Sequence, residues 1–180
     1  MKSFSLETDR LTIRPLMIED AKDMYEYTSD ARSNEFLVWE IHNSVEQDKE
    51  FINNALKPEG DDYYFGVELN CEKKLIGCIR LYDISDKHKR CEVSYIINPN
   101  YSCQGYATEA LRKVIDFAFD ELNMNRVQAL CIEGHIASEK VMKKCSMIYE
   151  GTLASYAILR DQKTYPMKMY ARVKSDDKQG

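Results

Sequence analysis

From Gly105 to Glu121 the chain carries its strongest periodic signal. Ala107, Leu111, Val114, Ala118 and Leu122 fall on one helical stripe, with Glu109, Arg112, Lys113, Asp116 and Asp120 on the other faces. A strand-like run, Cys91-Glu92-Val93-Ser94-Tyr95-Ile96-Ile97, precedes this helix and stops at Asn98-Pro99-Asn100; a second run, residues 126–132, follows it. Strand, helix and returning strand make a right-handed βαβ unit, whose two strands lie parallel in the middle of a mixed sheet. That unit requires a layered α/β structure.

The remaining segments fit around this centre. Residues 11–14 alternate and stop at Pro15, which predicts a first strand. Residues 18–29 and 44–56 have helical spacing, the second broken by Lys57-Pro58-Glu59-Gly60. Residues 63–69 and 74–82 read as a hairpin about the turn 70–73, with a charged loop at 83–89 behind it. A helix at 136–145 and strands at 149–159 and 164–173 close the chain. The expected order is β-αα-βββ-α-β-α-ββ, an α/β (α+β) mixed sheet of about seven strands flanked by about four helices. With 180 residues and 44% hydrophobic content, residues 1–173 are long enough to bury the core of one domain, and residues 174–180 read as a polar tail.

Charge and cysteine usage narrow the partners. A formal net charge of -5 argues against a nucleic-acid partner, which rewards clustered Lys and Arg; an acidic surface suits amine-bearing substrates better. The six cysteines form no CxxC pair and no Cys/His spacing typical of zinc, so no metal is expected and the thiols read as reduced. No apolar stretch follows Lys2, and no window approaches the roughly 20 apolar residues of a membrane span. The expectation is a cytoplasmic protein without a membrane partner, monomeric or homodimeric.

The turn Ser102-Cys103-Gln104-Gly105-Tyr106-Ala107-Thr108 is where chemistry enters. A helix that opens directly after a strand offers free backbone N–H groups and the positive end of its dipole, a seat for phosphate. Gly105 permits close backbone approach, Ala107 is small enough for the helix to pack near a ligand, and Thr108 adds a hydroxyl. The same turn, taken alone, also serves as an ordinary helix start.

Five segments, in order, make the chain similar to a known family. They are Leu6-Glu7-Thr8-Asp9-Arg10-Leu11-Thr12-Ile13-Arg14-Pro15-Leu16; Trp39 with residues 42–46; Leu75-Ile76-Gly77-Cys78-Ile79; Tyr106-Ala107-Thr108-Glu109-Ala110-Leu111; and Tyr149-Glu150-Gly151. The chain resembles the GNAT acetyltransferase superfamily, and more closely its RimJ/RimL-like branch, which acetylates protein N-terminal amines and small amines. The resemblance implies the GNAT fold and acetyl-CoA as co-substrate, with transfer to a primary amine by direct attack on the thioester. It places the phosphate loop on Ser102 to Ala107, with Cys103, Gln104, Gly105, Tyr106, Ala107 and Thr108 as cofactor-binding residues. It also implies that the backbone of Ile96 and Ile97 pairs with the pantetheine amides. Ser102 and Cys103 depart from the family's usual side chains, which matters little where backbone N–H groups make the contacts.

An amine must attack neutral although amines are mostly protonated near pH 7, so a nearby carboxylate helps by about 10² to 10⁴. Glu92 is the candidate base; the plainer readings are a solvent-facing carboxylate or a partner for Arg90. The resemblance maps a thiolate-stabilising serine onto Ser138, which is otherwise a helix cap. Where many members of the superfamily have a tyrosine this chain has Met142, and His135 replaces an asparagine that orients pantetheine. Lys144 matches a lysine able to reach a cofactor phosphate, while Ser146-Met147 replaces Gly-Phe. A helix N-terminus lowers a thiol's pKa, which points to a reactive Cys103, but direct transfer makes a cysteine intermediate unnecessary. The departures at Ser102, His135 and Ser146-Met147 leave an alternative open, a non-catalytic acyl-CoA-binding sensor.

Overall fold

A computed structural model describes residues 5–34, 36, 41–57 and 62–174; Trp39, the helix breaker at 58–60 and the tail from 175 lie outside the described residues. The strands are β1 (Leu6–Glu7), β2 (Leu11–Pro15), β3 (Tyr63–Leu69), β4 (Lys74–Ser85), β5 (Arg90–Ile97), β6 (Arg126–Ile132), β7 (Ile148–Ile158) and β8 (Thr164–Val173). The helices are α1 (Ala21–Thr28), α2 (Ala31–Asn34), α3 (Val45–Ala55), α4 (Tyr106–Asp120) and α5 (Ile136–Lys144). One sheet holds all eight described strands in the order β1-β2-β3-β4-β5-β6-β8-β7. Every neighbouring pair is antiparallel except β5 and β6, which run parallel because α4 crosses between them.

Each face of the sheet buries its own core. Ala110, Leu111, Val114, Ile115 and Ala118 of α4 are fully buried against Cys91 and Val93 of β5 and Val127 and Ala129 of β6, with Met142 of α5 beside them. On the opposite face Ala21, Met24 and Tyr27 of α1 and Ile52 of α3 cover Leu75, Cys78 and Ile96. Period-two alternation thus sends Val93, Tyr95 and Ile97 toward α4 and α5, and Glu92, Ser94 and Ile96 toward α1 and α3. Gly77 sits opposite Ile97 in the β4–β5 ladder, and a Cβ there would lie 2.4 Å from the Ile96 carbonyl. Only glycine lets the two backbones approach so closely.

The structure adds two elements to the sequence-based expectation of seven strands and four helices. β1 has two residues and α2 four, too short to carry either period. The helix expected at 18–29 opens as a 3-10 turn, Ile18–Asp20, whose Asp20 binds Arg14 through both carboxylate oxygens at 2.8 Å. β4 continues through Asp83 to Ser85, where the charged loop was expected, by way of a register shift. Lys174, read as the start of the tail, is tied to Asn125 and Phe119 carbonyls at 2.9 and 2.7 Å.

Candidate active site

The chain leaves β5 through fully buried Asn98, whose side chain accepts from the Asn100 N–H at 3.0 Å and donates to Glu26 at 3.2 Å. After the 3-10 turn Pro99–Tyr101, residues 102–105 are exposed, and Cys103 (φ 62°) and Gly105 (φ 88°) have left-handed backbone. Glycine adopts that conformation freely, whereas the Cβ of Cys103 costs about 1 kcal/mol. The Glu109 N–H is the first of α4 to bond a carbonyl of the helix, that of Gly105, at 3.0 Å. Those of Tyr106, Ala107 and Thr108 precede it, in the turn where a helix lacks acceptors of its own and its dipole is positive. A pyrophosphate fits such a turn.

Arg10 and Thr8 brace this turn from the β1–β2 connection. The Arg10 guanidinium donates to the Gln104 carbonyl at 3.0 Å and to Glu109 at 2.8 Å, and lies 4.4 Å above the Tyr106 ring. The Thr8 hydroxyl donates to the other oxygen of Glu109 at 2.7 Å. Burial works to raise the Glu109 carboxyl, but the bonds from Thr8 and Arg10 outweigh it and hold the group below its usual range.

β5 and β6 pair only from Arg90 and Arg126 to Glu92 and Gln128; beyond that point β5 runs on to Ile97 and β6 to Ile132 without bonding each other. The cleft between them leaves one backbone edge of residues 93–97 open to a ligand that carries amides, as an added strand would. Glu92 stands at its apex, 8% exposed. Tyr82 donates to one of its oxygens and Gln128 to the other at 3.1 Å. Both plainer readings of Glu92 therefore fall: it is buried, and Arg90 pairs with Asp83 instead, at 2.5 Å. Burial, reinforced by the Glu92 carboxylate, pushes the Tyr82 hydroxyl far above its ordinary range.

Across the cleft, Ser138 lies in the first turn of α5, 9% exposed. Its hydroxyl is no cap: it shares a 2.9 Å hydrogen bond with the hydroxyl of Tyr95, which also donates to the Ser138 carbonyl at 3.1 Å. Burial drives the Tyr95 hydroxyl well above its usual value, so it stays protonated. Met142, at the place of the superfamily tyrosine, is fully buried in the core, and β5 supplies a tyrosine from the other wall. Period two on β5 already separates Tyr95 from Glu92; its meeting with Ser138 depends on how α5 docks. His135 is the N-cap of α5 and stacks on Phe36 with ring centroids 4.4 Å apart. The last turn of α5 touches the start of α4: the Lys144 carbonyl accepts from Arg112 at 2.7 Å and the Cys145 thiol donates to the Thr108 carbonyl at 3.5 Å. Lys144 is exposed, and its neighbour Cys145 is the residue that touches the turn at Thr108.

Beneath α1 and α3 lies a cavity of about 170 Å³, bordered by Ser94, Tyr95 and Ile96 of the splayed stretch of β5. Met24, Tyr27, Phe51, Tyr64 and Cys78 make most of its wall apolar or aromatic, and His42, Thr28 and Arg80 supply polar points. Among the described residues no cluster of three or more His, Cys, Asp or Glu is arranged to hold a metal ion, and no helix is long and apolar enough to cross a membrane.

A helix start with open amides, a cleft edged by free strand backbone and a buried carboxylate at its apex together suit transfer of an acyl group from a phosphate-bearing carrier. The chain belongs to the GNAT family: the Acetyltransferase (GNAT) domain matches residues 10–148. As a member of that family it is an N-acetyltransferase. It is similar to the uncharacterized N-acetyltransferase YnaD of Bacillus subtilis (strain 168), 37% identical over 147 residues, 81% of this chain and 84% of YnaD. The crystal structure of a GNAT-family acetyltransferase from Bacillus anthracis superposes with a TM-score of 0.85 at 26% identity, covering 94% of this chain and 98% of that one. The Microcin C7 self-immunity acetyltransferase MccE, in complex with acetyl-CoA and AMP, shares the fold with a TM-score of 0.84 at 20% identity, covering 93% and 94%.

Proposed function

We propose that the protein moves an acetyl group from acetyl-CoA to a primary amine, either a protein N-terminal amine or a small amine, by direct attack on the thioester. The observation that carries this reading is the cleft beyond the Glu92–Gln128 pair, with open helix amides at one end and a buried carboxylate at its apex. The N–H groups of residues 103–108 hold the pyrophosphate, with Lys144 beside them. The backbone of Ile96 and Ile97 holds the pantetheine amides, and His135 borders that arm from the start of α5. On forming the amide the nitrogen gives up two protons, one before it attacks and one as the C–N bond forms. Glu92 receives the second. As the C–S bond breaks, the leaving sulfur takes a proton from the Ser138 hydroxyl, which Tyr95 resupplies; once the products leave, Glu92 gives its proton to water and Tyr95 regains one from water, so that in net one proton passes from nitrogen to sulfur.

Replacing Glu92 tests this division of roles. Glu92→Gln keeps the hydrogen-bonding shape but removes the proton acceptor, so amine-dependent turnover should fall by about 10² to 10⁴ while calorimetric affinity for CoA stays unchanged. Ser138→Ala should lower turnover less, because the Tyr95 hydroxyl remains. Wild-type turnover in Glu92→Gln would remove Glu92 from the mechanism. CoA binding without turnover in the unaltered protein would favour the acyl-CoA sensor.

A further inference from the structure

The cavity beneath α1 and α3 holds a second proton-handling group. Asp48 is completely buried, and its carboxylate accepts from His42 Nδ1 at 2.9 Å and from the Thr28 hydroxyl at 3.0 and 3.1 Å. The Asp48 carboxylate, held in turn by Thr28, thus fixes the orientation of the imidazole through Nδ1 and leaves Nε2 as its other polar atom. The His42 side chain is 22% exposed and lines the cavity. The other described titratable side chains of that wall are tyrosine hydroxyls, a thiol and a guanidinium. Burial raises the hydroxyls of Tyr27 on α1 and Tyr64 on β3 and pushes the Cys78 thiol of β4 up to about 12. Arg80 is a permanent cation paired with Asp62. The Tyr27 hydroxyl, 1% exposed, is a buried polar atom with no hydrogen-bond partner, in a wall that is otherwise largely apolar. A polar group on an occupant of the cavity would satisfy it.

We infer that the cavity takes an amine borne on a compact, largely apolar body, and that His42, oriented by Asp48, removes the first proton from the arriving ammonium. The inference rests on the acetyl-transfer reading and completes its proton balance. The ammonium loses one proton to His42 Nε2, giving a neutral amine and an imidazolium beside Asp48; the partly exposed ring returns that proton to water. Glu92 and the leaving sulfur account for the other proton. Among the described residues that line the cavity there is no carboxylate, and that of Asp48 behind His42 is already hydrogen-bonded, so the further ammonium groups of a polyamine gain little from them.

Acceptors of different basicity test this role. Alkylamines near pKa 10.4 reach the protein at pH 7 almost wholly protonated, whereas amino-acid amides, near pKa 7.7–8.0, arrive partly neutral. His42→Gln should therefore lower kcat/KM about 100-fold for isoamylamine and less than about 10-fold for leucinamide. Asp48→Asn should give the same ranking with smaller losses, and CoA affinity by calorimetry should match wild type in both variants. Equal losses for the two acceptors, no loss for either, or CoA affinity falling in step with kcat/KM would overturn the inference and leave His42 a structural residue. Wild-type preference for spermidine over both apolar amines would overturn the substrate class. A wild-type protein that binds CoA and acetylates nothing would overturn the function itself and this inference with it.

Discussion

Ser146 stands where the chain leaves α5 with φ 62°, and the bonds around it form a Schellman closure: Ser146 N–H to the Lys143 carbonyl at 3.0 Å, Met147 N–H to that of Met142 at 3.1 Å. Left-handed backbone is why the resembling family has glycine here. Ser146→Gly should stabilise the protein by about 1 kcal/mol, raising Tm by roughly 2–4 °C; an unchanged or lower Tm would mean that the serine side chain makes good its backbone cost. Arg10 acts on the opposite end of the site. Arg10→Ala removes the bonds to Gln104 and Glu109 and the cover over Tyr106, and should weaken CoA binding about fivefold by calorimetry, roughly 1 kcal/mol. The sequence showed Arg10 within a familiar opening segment but not its task, because Glu109 lies 99 positions away. Tyr95 with Ser138 and Tyr82 with Glu92 were hidden for the same reason: each pair spans two elements, and no local period encodes which two dock. Gly105 was legible because its positive φ and the helix start are local.

Among the elements, α4 was readable from its stripe, and β5, β6 and β8 from theirs, with bounds within a residue of those observed. What periodicity does not encode is where a ladder stops: residues 93–97 alternate as a paired strand would, yet β6 has parted from them. The docking of α5 onto β8 also falls between elements. Glu139, buried in α5, accepts from Lys168 at 2.9 Å and from the Tyr170 hydroxyl at 2.7 Å, and these two bonds, Lys168 first, hold its carboxyl below the usual range. A depressed carboxyl contributes stability above its unfolded pKa of about 4.3 and loses that contribution as pH falls through the lower folded value. Thermal melts from pH 6 down to pH 3 should show Tm falling with acid in the wild type and falling less steeply in Glu139→Gln. Parallel curves would mean that other carboxylates govern the acid limb.

At the scale of the whole molecule, the sheet separates two jobs. The face under α4 and α5 supports Ser138 and the turn proposed to hold phosphate, while the face under α1 and α3 carries Glu92 and the cavity with His42; the cleft between β5 and β6 lies between them. The layered fold, and the strand, turn and helix on which the carrier's phosphate is proposed to sit, were legible in the sequence because they rest on one continuous segment, residues 91–132. The cavity proposed for the acceptor draws on α1, α3, β3, β4 and β5, so no single stretch of sequence encodes it. The central claim is that these two sides exchange an acetyl group. Its most direct measurement is release of free CoA thiol from acetyl-CoA by the intact protein, followed with a thiol-trapping reagent over a panel of N-terminal peptides, amino-acid amides and small amines. Thiol release that depends on the amine and appears together with the acetylated amine is the expected result; release at the same rate without any amine, or none with any of them despite CoA binding, would contradict it.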